Sequence, residues 1–118
     1  MAATTDELAA RAYAVFGRYP KKVTPTVATW LSETELRKRV KTTRLRALAC
    51  EDVASVWWNA TGDERSLKHF LPRVLECVGC RFVTLSDVQQ RLRTLATDSW
   101  PDDEREVVRE ILAAEEPR

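Results

Sequence analysis

The sequence predicts an all-α fold: an irregular bundle of five or six short helices around a central kinked helix, as a single helical domain over residues 1–118. Three observations lead there. Only three glycines occur, too few for the turns of a β sandwich or barrel. Helix-start signals recur between stretches whose apolar residues return every three or four positions. And 118 residues, 44% apolar and 31% charged, suffice for one hydrophobic core and not for two.

The first helix opens at "TTDE", where Thr4 and Glu7 have the spacing of a capping box. Leu8, Ala12, Val15, Phe16 and Tyr19 follow at helical spacing, and Pro20 is expected to stop the helix. With no basic leader before an apolar run, this start reads as an amphipathic helix and not a signal peptide. "YPKKVTPT" is a loop, and "SETE" repeats the capping pattern at Ser32 and Glu35 before a short basic helix. Val53, Val56, Trp57 and Ala60 form the next stripe, ended by "NATGD". Further along, Ser86 is expected to cap a helix bearing Val88, Leu92 and Leu95. Ser99 is expected to cap the last one, with Pro101 in its first turn and acids where the helix dipole favours them. Val107, Val108, Ile111 and Leu112 then face inward. "CRFVTL" has the composition of a short strand, but one strand makes no sheet.

The central helix is the segment "LKHFLPRVLE". Leu67, Phe70, Leu71, Val74, Leu75 and Val78 form one apolar stripe that runs past Pro72. A helix continuing through the proline, kinked, is expected, or else two short helices meeting there. Pro72 is placed opposite the core, with Arg65, His69, Arg73 and Glu76 on the same outer face. The proline lacks the amide hydrogen that would bond the Lys68 carbonyl.

"TGDERSLKHFLPRVLE" resembles the central motif of an uncharacterised family of small bacterial helical proteins, whose members share its "HFLPR" core. "AYAVFGRYP" and "SWPDDEREVVREIL" resemble flanking segments of that family. The resemblance implies a bacterial, cytoplasmic, helical protein and supplies no catalytic residue. Relatives that carry a cysteine pair after the first helix differ from this chain, which reads "VTPTVATWL" there.

His69 is the sole histidine. Its expected role is structural, bonding a neighbouring segment, with partner contact as the next reading. General acid–base work would require a nucleophile, an orienting carboxylate or an oxyanion site around it, and Glu76 lies generously far for a direct hydrogen bond. The three cysteines, an odd number, suit a reducing compartment better than a disulfide framework. Cys77 and Cys80 form a CxxC, and only Cys50 and His69 remain to complete a zinc set, so packing is expected of Cys77. Of the four tryptophans, Trp57 lies on an apolar stripe, while Trp58 points about 100° away from it.

Net charge is +1, yet unevenly spread. The segment 36–46 carries Arg37, Lys38, Arg39, Lys41, Arg44 and Arg46 with no acid, whereas the stretch from Asp98 onward is strongly acidic. Solvated faces are the plain reading; steering of charged partners is the functional one. No phosphate-binding glycine loop, nucleophile elbow or paired-carboxylate signature occurs in the sequence. The expectation is therefore a small cytoplasmic bacterial protein-binding protein, neither an enzyme nor a membrane protein, without cofactor or metal. An immunity protein that covers a toxin is the form it takes. Its candidate contact residues are the six basic ones together with Trp58, His69, Arg73 and Glu76. The alternative is a nucleic-acid-binding accessory protein using segment 36–46.

Overall fold

The computed structural model describes residues 4–19, 38–39, 42–59 and 64–115. These form five α-helices: α1 (Thr5–Phe16), α2 (Cys50–Asn59), α3 (Glu64–Glu76), α4 (Leu85–Arg93) and α5 (Asp102–Ala113). Short 3-10 turns occur at Leu45–Ala47 and Thr97–Ser99. The fold is all-α, with no strand among the described residues. Residues 38, 39 and 42 are also helical, within the stretch read as a basic helix; its cap at Ser32 lies outside the described residues. No helix among the described residues is long and apolar enough to cross a membrane.

The helix boundaries follow local chemistry, with three corrections. Thr4 caps α1 by accepting the Glu7 amide at 3.2 Å, but the helix ends at Phe16 with Gly17 as its cap, a turn before Pro20. Thr84, not Ser86, caps α4: its hydroxyl accepts the Asp87 amide at 3.1 Å. Leu85, fully buried, is the first residue of α4, which leaves Ser86 inside the first turn. Ser99 belongs to the preceding 3-10 turn and donates to the Ala96 carbonyl at 2.8 Å, while Pro101 occupies the cap position of α5. The "CRFVTL" stretch is a turn leading into α4 and not a strand. Gly79 adopts φ +99°, and its amide bonds the Val83 carbonyl at 3.2 Å, folding the chain back before α4.

α3 is unbroken through Pro72. It packs most extensively against α1 and α2, and also touches α4 and the Leu45–Ala47 turn. Leu67, Phe70, Leu71, Val74 and Leu75 are buried as the stripe requires. Pro72 is buried too, contrary to its expected outward position. With neighbours on more than one side, α3 is enclosed well beyond the arc that its apolar periodicity marks.

Side chains bond backbone carbonyls at two joints of the bundle. The Trp57 indole donates to the Leu67 carbonyl at 3.1 Å, tying α2 to the first turn of α3. The Gln89 amide donates to the carbonyls of Ile111 and Ala114, each at 2.9 Å, and so closes the free end of α5 from α4. A covalent link joins Cys50 to Cys77, with Cα atoms 5.6 Å apart, and leaves Cys80 as a half-buried thiol. The expectation of reduced cysteines is thereby corrected. Burial of α2 and α3 against each other brings together two sulfurs 27 positions apart, which no spacing rule indicates.

Phe70 and Leu71 are exposed by 0% and 1%. Phe70→Ala or Leu71→Ala is expected to cost about 3–5 kcal/mol of unfolding free energy, the scale of a large buried side chain removed from a tight site. Urea denaturation of each variant beside the parent measures it; a loss below 1 kcal/mol would contradict the enclosure of α3.

Candidate functional site

Beyond its exposed first turn, where Glu64 and Arg65 face solvent, α3 carries four polar side chains: Lys68, His69, Arg73 and Glu76. Each is directed at a neighbouring element. Lys68 Nζ lies 2.7 Å from Glu104 Oε1 of α5 and donates to the Tyr19 hydroxyl at 3.1 Å. That hydroxyl in turn donates to Glu104 Oε2 at 2.5 Å. The ammonium also sits 4.4 Å from the Trp100 ring and 4.8 Å from the Tyr19 ring, where the π-faces attract it. Glu104 is wholly buried and Lys68 nearly so. Burial by itself lowers the Lys68 pKa, but the hydrogen bonds and charges of Glu104 and Tyr19 outweigh it and hold the amine above its ordinary value. Arg18 reaches the rim of this cluster, bonding Asp103 and lying 3.6 Å from Glu104.

A second cluster occupies the other flank of α3. His69 Nδ1 lies 2.9 Å from the Tyr19 carbonyl. A carbonyl only accepts, so the proton in that bond belongs to Nδ1. Arg73 donates through Nε and Nη2 to the Leu48 carbonyl at 3.1 and 2.9 Å, clamping the chain just before α2, and through Nη1 to Glu76 at 3.4 Å. Glu76 accepts the Tyr13 hydroxyl from α1. The Arg46 guanidinium stacks 3.8 Å above the Tyr13 ring. Burial, and then the hydrogen bond and charge of Glu76, raise the Tyr13 pKa well above the ordinary phenol value. His69, Arg73 and Glu76 are thus half-buried and bonded within the protein. Glu76 does not orient His69; it holds Tyr13 and Arg73.

The basic segment is divided. Arg39 is held by Asp52, in the first turn of α2, through paired bonds of 2.9 and 3.0 Å, and the Asp52 carboxylate is buried. Lys38 and Arg44 are exposed, as is Arg46 despite its stacking on Tyr13. Arg37 and Lys41 lie outside the described residues. Trp58 belongs to α2 by its backbone, but its side chain also lies outside them.

The sequence reading missed the turn between α3 and α4. Its ends are fixed by the Cys50–Cys77 bond, by the Gly79–Val83 bond and by burial of Val83. At its tip Phe82 is 43% exposed, the one large hydrophobic side chain so placed among the described residues, with the Arg81 guanidinium 5.7 Å from its ring. The Lys68–Glu104 pair was also missed, although a signal existed. Glu104 precedes Val107, Val108 and Ile111 by three, four and seven positions, so an acid stands on the apolar face of α5. Among the described residues no group of His, Cys, Asp and Glu side chains is arranged to hold a metal ion.

Glu104→Leu leaves the Lys68 ammonium buried without its carboxylate and is expected to cost about 3–5 kcal/mol, whereas Lys68→Met combined with Glu104→Leu recovers most of that loss. Urea melts of the two variants test this, and a double variant as unstable as the single one would refute it. The raised pKa values of Lys68 and Tyr13 give a second test. The folded protein holds both protons more tightly than the unfolded chain does. Their stabilisation is therefore fully present below the unfolded values, about 10 for each, and is lost as pH climbs through the folded ones. Stability should stay level to about pH 10 and fall above it, more shallowly in Tyr13→Phe.

No family model, no curated protein and no solved structure matches this chain, so its own residues carry the evidence of function.

Proposed function

We propose that this chain is a protein-binding protein, of the small bacterial kind that covers another protein's surface as an immunity protein covers a toxin. The observation that carries this reading is the Arg81–Phe82 tip. An aromatic ring held out of the core beside an arginine, on a turn anchored at both ends, has the chemistry of a binding hot spot. Anchoring matters because a turn already fixed in shape loses little conformational freedom on docking. The Cys50–Cys77 bond brings the end of the basic segment beside the start of this turn. Exposed Arg44 and Arg46 precede that bond in the chain, which favours a partner with an acidic surface. The bacterial setting in this proposal rests on the resemblance of "HFLPR" and its flanks to a bacterial family, which implies no activity. The motif's own polar side chains serve the scaffold that displays this surface.

Nucleic-acid binding through segment 36–46 is favoured by one observation, the exposure of Lys38, Arg44 and Arg46. Arg39 is less available to it, being clasped by Asp52.

Affinity capture from the native host, run in parallel with the parent chain and Phe82→Ala, tests the proposal. A partner protein retained by the parent and lost by the variant, at unchanged melting temperature, is the expected outcome. Labelled single-stranded and duplex DNA should bind no better than nonspecifically, with Kd of about 10⁻⁴–10⁻⁶ M at physiological salt. Tighter binding that falls steeply as salt rises would transfer the function to the basic segment.

A further inference from the structure

We propose that Cys50, Cys77 and Cys80 form a three-sulfur exchange site, in which the disulfide carried by Cys77 passes between Cys50 and Cys80. This goes beyond the partner-binding reading and does not depend on it. Cys77 is bonded to Cys50 across the α2–α3 contact, at a Cα separation of 5.6 Å. The Cys80 amide donates to the Cys77 carbonyl at 3.0 Å, closing a four-residue turn. Such a turn keeps its end Cα atoms within about 7 Å, and disulfides span about 4.4–6.8 Å. Cys77 thus has one bonded sulfur and, three residues on, a second cysteine whose Cα the turn keeps in the range that disulfides span.

Burial orders the three. Cys77 is only 2% exposed, while Cys50 and Cys80 are both half-buried. A thiol from another molecule meets the shared sulfur poorly; Cys80, in the same turn, is the attacker best placed for it. The Phe82 amide donates to Cys80 Sγ at 3.4 Å and fixes that thiol in the turn. Gly79, at φ +99°, lies inside the same turn and has open space about it, so the turn can adjust as a bond forms.

The step balances without an outside reagent. Cys80, having given up its proton, attacks Cys77 Sγ; the Cys77–Cys80 bond forms as the Cys77–Cys50 bond breaks. The electron pair leaves on Cys50 Sγ, which takes up a proton, so one disulfide and one thiol remain. The first residue of α2 is then detached from the end of α3, and the Arg73 clamp on the Leu48 carbonyl is left to hold that junction. Exchange of sulfur partners thereby loosens the segment that bears Arg44 and Arg46.

Peptide mapping reads the two isomers directly, because trypsin leaves Cys50 in peptide 47–65 and both other cysteines in peptide 74–81. The air-oxidised full chain is incubated, quenched with N-ethylmaleimide and digested. The expected starting state is label on Cys80 with 47–65 cross-linked to 74–81. With time, label should appear on Cys50 as 74–81 emerges alone, lighter by two hydrogens, at a rate unchanged over a tenfold range of protein concentration. Cys80→Ser should abolish Cys50 labelling. Label confined to Cys80 throughout, label on all three cysteines, or Cys50 labelling that survives Cys80→Ser would each overturn the proposal.

Discussion

A helix enclosed by neighbours on more than its apolar side must find an internal partner for each polar side chain it draws in from solvent, and α3 obeys that constraint from Lys68 to Glu76. Lys68 answers it with Glu104, Tyr19 and the Trp100 ring; Arg73 with the Leu48 carbonyl; Glu76 with Tyr13; His69 with the Tyr19 carbonyl. Those partners lie on α1 and just after it, on α5 and just before it, and in the connection before α2. The polar flanks of one helix therefore set the positions of the elements around it, and the apolar stripe supplies the burial that makes solitary charges there costly. Tyr19 takes part twice, through its hydroxyl and through its carbonyl, so the chain just after α1 is held on both its side-chain and backbone atoms.

The same constraint separates the charges into two populations. Lys68, Glu104, Arg39 and Asp52 are spent on holding helices together, which removes them from the surface charge that a partner would meet. Arg11 of α1 with Glu110, and Arg18 just after α1 with Asp103, add exposed links to α5 that solvent weakens. Lys38, Arg44, Arg46 and Arg81 are among the basic side chains that remain outward, with Phe82 beside the last of them.

Much of the fold was legible in the sequence because helices advertise themselves locally. The Leu67–Leu75 stripe, the Thr4 cap and the inward Val107, Val108 and Ile111 all follow from spacings within one or two turns. Errors of two or three residues arose where two competent signals stood close together, as Thr84 beside Ser86 and Gly17 ahead of Pro20. Pro72 was misplaced for another reason: a stripe reports the most apolar face but not how many neighbours close around it. The candidate surface was read less well. Lys68 with Glu104 and Cys50 with Cys77 are meetings of distant positions, decided by packing, and the exposure of Phe82 depends on a turn with no periodicity to betray it.

The Cys50–Cys77 bond also makes a ring of the chain, and the ring contains all of α2 and α3 while α1, α4 and α5 lie outside it. In the unfolded protein this ring keeps the two helical segments from drifting apart, reducing the disorder that folding must overcome. A ring closed between Cys77 and Cys80 would enclose only the intervening turn. On loop-closure grounds that shrinkage forfeits about 2 kcal/mol of restraint on the unfolded ensemble. The choice of sulfur partner is therefore also a choice of how much of the molecule remembers its neighbours when it unfolds.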